Sequence, residues 1–139
     1  MDRMWIAVAI ATLATGCPRG DDPPACIDVD LSCAELYEPT FENVYTRTLA
    51  VGCGATATAC HSAAGRQGGM SFETMQTAFT SLRAGRVVPG DAACSEVIVR
   101  TSSPGESYQM PPGSALTAPE RCALIKWVQN GAPGPGGSP

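Results

Sequence analysis

The chain has 139 residues, a net charge of −4 at neutral pH and seven cysteines. Phosphate binding needs clustered Lys and Arg, which this acidic chain lacks, so nucleic acid is excluded as a partner. Aromatic residues make up only 6%, and a core this poor in large side chains is marginal unless cross-links or a bound group support it.

Residues 1–16 read "MDRMWIAVAIATLATG". A basic Arg3 precedes an apolar run from Met4 to Thr15 that is too short to span a bilayer, as in a secretory signal peptide. The run ends in "LATGC". Small residues directly before a cysteine resemble the lipobox of bacterial lipoproteins, which implies lipidation at Cys17. Ala14 and Gly16 also suit an ordinary signal peptidase, which would leave a soluble periplasmic protein. Parity favours the lipid, because removing Cys17 from seven cysteines leaves an even six. Export also places the remaining cysteines where disulfides form. The expectation is a protein held by lipid at the periplasmic face of a bacterial membrane.

Residues 17–39 comprise Cys17 and a Pro- and Asp-rich stretch, which reads as a tether. Cys26 and Cys33 lie within it, and a small local disulfide is their expected use, worth ~2–3 kcal/mol at most.

A domain is expected over residues 40–133. "TFENVYTRTLAVGC" places Phe41, Val44, Tyr45, Thr48 and Leu49 on one helical face. Thr40 is a good cap, and the helix is expected to end near Val51 or Gly52. "SFETMQTAFTSL" predicts a second helix capped by Ser71, with Phe72, Met75, Ala78, Phe79 and Leu82 as its stripe. "GDAACSEVIVRTS" predicts a short third helix capped by Asp91, although its β-branched run is a poor helix former. The fourth is the clearest: "TAPERCALIKWVQNG" has Thr117 and Glu120 in capping-box spacing and Gly131 as a stop. Residues 134–139 read as a disordered tail. The fold class is therefore all-α, with about four helices, long Gly/Pro-rich loops and disulfide staples.

The chemistry concentrates at "CGATATACHSAAG", which holds Cys53, Cys60 and the chain's one histidine, His61. Six residues separate the cysteines. In continuous helix they would stand ~10.5 Å apart along the axis, so the intervening segment must bulge if both are to reach one ligand. A disulfide between Cys53 and Cys60 is the competing reading. Cys94 and Cys122 read as a disulfide between the third and fourth helices. Zinc sites want four ligands in paired short spacings, which are missing here. Copper(I) at Cys53, Cys60, His61 and Met110 suits soft ligands. No hydrolase triad or phosphate loop is visible.

The order of these pieces resembles the cytochrome c-like domains of bacterial exported proteins and lipoproteins. The shared pattern is "F-x-x-V-x-x-x-x-L…C…C-H", "V-x-P-G-D…C-S-x-x-x-x-R", "M-P-P-G" and "L-I-x-W-V-x-x-G-A", from about Thr40 to Pro133. The resemblance implies one covalent haem c. His61 would be one iron ligand, Met110 the other, and Cys53 and Cys60 the thioether residues. Met70 and Met75 are rivals to Met110, and Arg66, Arg83 and Arg86 are candidates to meet haem propionates. His/Met ligation implies electron transfer to a periplasmic redox partner rather than catalysis. The departure is the spacing: the usual motif has two residues between its cysteines, and Ala57 stands where the usual first cysteine would be. A haem-free module of the same fold, held by disulfides, is the alternative.

Overall fold

The computed structural model describes residues 21–54 and 60–137. The expected signal peptide and Cys17 lie outside the described residues, as does the segment 55–59. Among the described residues the regular structure is entirely helical, and no helix is long and apolar enough to cross a membrane.

Helix α1 spans Phe41–Val44 and runs directly into a π-helical stretch, Tyr45–Gly54. Thr40 caps it as expected, its hydroxyl accepting from the Asn43 amide at 3.3 Å. The helix reaches two to three residues past its expected end and delivers Cys53 on its last turn. Such wide turns are rare and occur mostly as single-turn bulges, frequently at functional sites. Helix α2 spans Met75–Arg83 and starts later than expected. Its cap is Thr74, whose hydroxyl accepts from the Thr77 amide while Thr77 answers with its own side chain.

Helix α3 spans Glu96–Thr101 and is likewise shorter than its pattern. Asp91 does act as a cap, but of a preceding turn, accepting from the Cys94 amide at 3.1 Å. The helix itself begins after Ser95, whose fully buried hydroxyl donates to the Asp91 carbonyl at 2.7 Å. Helix α4 spans Ala118–Gln129 with the expected Thr117–Glu120 capping box. Gly131 follows in a left-handed conformation (φ 95°), which a side chain would disfavour.

The core gathers where α1, the π-helical stretch and α3 meet α2 and α4. Phe41 sits at its centre, edge-on to Phe79 at 5.1 Å and tilted against Trp127 at 5.2 Å. Both Phe41 and Trp127 are fully buried, and each such ring contributes through its area and its ring geometry.

Two sequence expectations are corrected by the cysteine pairing. Cys26 bonds to Cys94 and Cys33 to Cys122, so the four cysteines are bridged with partners other than the expected Cys26–Cys33 and Cys94–Cys122. Both bridges fasten the stretch expected to be a tether onto the helical domain. Ile27 donates its amide to the Ala93 carbonyl, Leu36 donates to Pro119, and the buried Tyr37 ring reaches Thr48. Glu35 pairs with Lys126 on α4. Composition spoke against burial here because it carries few apolar residues, and covalent bridges supply what burial does not. The tail is also fastened as far as Gly137. Trp127 Nε1 donates to the Pro133 carbonyl at 3.0 Å, Gly134 packs under Phe79, and the Gly136 amide donates to Glu42.

Candidate functional site

An apolar cleft of about 360 Å³ opens beside the end of the π-helical stretch. It brings together Cys53, Cys60, His61 and Met110, the four residues that the sequence singled out for a cofactor. A second, more polar lobe of about 750 Å³ shares Cys60, His61, Met70 and Met110 with the first, so the two form one continuous cleft.

The two ends of the long Cys–Cys spacing meet. The His61 amide donates to the Cys53 carbonyl at 3.2 Å, and the Phe72 amide donates to the His61 carbonyl at 2.6 Å. The return of His61 to Cys53 sets Cys53, Cys60 and His61 together in the lining of the cleft. Gly54 makes this approach possible. A Cβ there would stand 2.3 Å from the Phe72 Cβ and 2.9 Å from its backbone. Gly54→Ala is therefore expected to push Phe72, and through it His61, out of place. The expected cost is about 1–3 kcal/mol, read as a lower melting temperature of the purified chain.

His61 is only 6% exposed, and its ring packs on Phe72 with centroids 4.9 Å apart. Its Nδ1 is buried without any hydrogen-bond partner. A buried polar atom left unpaired costs stability and asks for an explanation. Burial pushes the imidazole pKa below its ordinary value; the nearby Gln67 backbone opposes this, and the Arg86 charge adds to the lowering. The ring is thus kept neutral, the form in which histidine binds metals.

Cys53 is a free thiol, partly exposed at the cleft. Burial, with the Glu120 charge adding to it, pushes its pKa up to about 11. It is a neutral thiol at physiological pH. The expected alternative of a Cys53–Cys60 disulfide is not what forms. Cys60 is nevertheless disulfide-bonded.

Met110 stands on the loop between α3 and α4 and also lines the cleft. Its amide donates to the Arg100 carbonyl at 2.9 Å, and the Gln109 side chain closes the turn by donating to Pro111 at 2.7 Å. Met70 also lines both lobes, whereas Met75 packs against the core, as its helical spacing foretold. Of the arginines considered for propionates, Arg86 lines the cleft; Arg66 and Arg83 do not. Sequence reasoning missed Glu96 and Arg100, which also line it. Their i, i+4 spacing was the signal, although on a short helix it reads as an ordinary surface pair. Among the described residues, no group of three or more His, Cys, Asp or Glu side chains could hold a bare metal ion.

The described domain is all-helical, and its apolar cleft is lined by imidazole, thioether and thiol groups. In a comparison with known families, residues 58–114 match the family model described as Planctomycete cytochrome C. The match takes in Cys60, His61 and Met110 but begins downstream of Cys53. It supports a cytochrome c-like domain and leaves the wide cysteine spacing as a feature of this chain. No curated protein and no solved structure matches the chain.

Proposed function

We propose that this chain is a one-electron carrier that binds a single c-type haem in the cleft. The observation that carries the reading is His61: a buried, neutral imidazole with an unpaired nitrogen, set in an apolar cleft. A porphyrin iron accounts for that side chain, and the surrounding donors fit the same group. Met110 supplies a thioether sulfur as second ligand, and Cys53 a free thiol for covalent attachment. When bound, the haem would supply reversible one-electron chemistry, with His/Met ligation favouring a raised potential. The chain's own part is to exclude water, hold the imidazole neutral and place the sulfur. The reading extends to export and a periplasmic redox partner, supported by the leader pattern.

One observation favours the haem-free alternative. The Cys60 sulfur is already in a disulfide, and one sulfur cannot hold both a disulfide and a haem thioether. Attachment at Cys60 therefore requires that bridge to be reduced first. The test is expression of the full chain in a host with haem-attachment machinery, followed by reduced absorption spectra and acidic acetone extraction. The expected result is a sharp reduced α-band that stays with the protein on extraction. Colour lost to the solvent would show haem held without thioethers. A colourless protein would overturn the carrier reading.

A further inference from the structure

The two walls of the cleft are carried by separate loops, one holding His61 and Met70 and the other holding Met110. Between them stands the first turn of α3, with one carboxylate contacted from both sides. Glu96 Oε2 receives Arg86 Nη1, and Glu96 Oε1 receives Arg100 Nε at 2.7 Å. Each guanidinium reaches onward with a second donor. Arg86 Nη2 donates to the Gly68 carbonyl at 3.1 Å, on the loop between His61 and Met70. Arg100 Nη1 donates to the Tyr108 carbonyl at 3.4 Å, and its own carbonyl accepts from the Met110 amide.

We propose that Glu96 is a positioning residue, a latch whose single carboxylate holds the His61-bearing and Met110-bearing walls in register through Arg86 and Arg100. An arginine fork suits this task, since its planar donors grip a carboxylate and a carbonyl at once. All three side chains are partly shielded, with 21–33% of their side-chain surface exposed. Charge-assisted bonds in such a setting are worth more than exposed pairs. The latch itself follows from the contacts alone; its service to axial ligands rests on the carrier reading.

Coupling between the walls distinguishes a latch from two ordinary surface pairs. The experiment is amide hydrogen exchange, read by NMR, on the full-length oxidised chain without haem. Glu96→Gln is expected to speed exchange at the Met110 amide and at the Gly69 and Met70 amides together, by roughly tenfold. Glu96→Asp, which keeps the charge, restores protection in part. Arg86→Met is expected to speed exchange at Met110, on the far wall, and Arg100→Met at Gly69 and Met70. Both cross-effects vanish when Glu96 is already Gln, as a double-mutant cycle requires. Should the methionine variants fail to fold, Arg86→Lys and Arg100→Lys replace them, since lysine cannot span two acceptors as a fork. If each arginine change alters only its own wall, or the cross-effects persist in the Glu96→Gln background, the latch is wrong. Failure of the carrier reading would leave these exchange results untouched and show itself instead as a colourless protein.

Discussion

Replacing Cys33 and Cys122 together with alanine is expected to cost the domain roughly 3–4 kcal/mol on the chain-entropy account, since the Cys26–Cys94 bridge stays and shortens the loop this bond closes to about 35 residues. Alanine is chosen because Cys122 is buried at 1% exposure, where a serine hydroxyl would add an unrelated penalty. Small domains hold only about 5–15 kcal/mol in all, so this one bond is a large fraction of the total. The melting temperature should fall by about 15 °C or more. Denaturant and thermal melts of the double variant against wild type give the measurement. A drop of only a few degrees would mean that the segment before Thr40 is a tether after all. Core burial would then carry the fold.

The other large effect concerns His61. In protein loaded with haem, His61→Ala is expected to abolish the sharp reduced α-band at matched protein concentration. Met110→Ala should leave a coloured protein with an altered band and a lower potential. Met70→Ala should leave the spectrum close to wild type, and the reverse pattern would make Met70 the second ligand. The haem-free chain offers an independent check. Burial holds the His61 pKa below its usual 6.5. Above that pH neither the folded nor the unfolded state is protonated, and the group is neutral in its effect. As pH falls below 6.5 the unfolded chain takes up the proton first, so stability declines with acid until the folded pKa is passed. His61→Gln should remove that part of the pH dependence of chemical denaturation.

Local chemistry in the sequence foretold local structure well. Thr117 with Glu120 and Thr40 before Phe41 marked real caps, because a cap is decided by a hydroxyl and an amide three residues apart. Two helix starts lay further along than expected, with Thr74 rather than Ser71 before α2 and Ser95 rather than Asp91 before α3. The π-helical pitch was invisible, since Phe41, Val44, Thr48 and Leu49 are spaced as an α-helix would space them. Disulfide partners were not legible either: six cysteines allow fifteen pairings, and spacing does not choose among them. The cleft was half legible. "CH" and "QMPPG" marked Cys60, His61 and Met110, which line it, but Glu96, Arg86 and Arg100 come together only in three dimensions.

The two bridges also change what a cut in the backbone can do. Cys26 and Cys33 lie on one side of any break between residues 34 and 93, while Cys94 and Cys122 lie on the other. A protease that nicks the chain anywhere in that span leaves two pieces that stay in one covalent body until a reductant arrives. The stretch from Cys53 to Cys60 falls inside the span. Growth or cleavage of that stretch is therefore sheltered, because the ends of the domain stay bound to each other whatever happens between them. A lineage can lengthen its cysteine spacing under such cover without first finding a new way to hold the helices together.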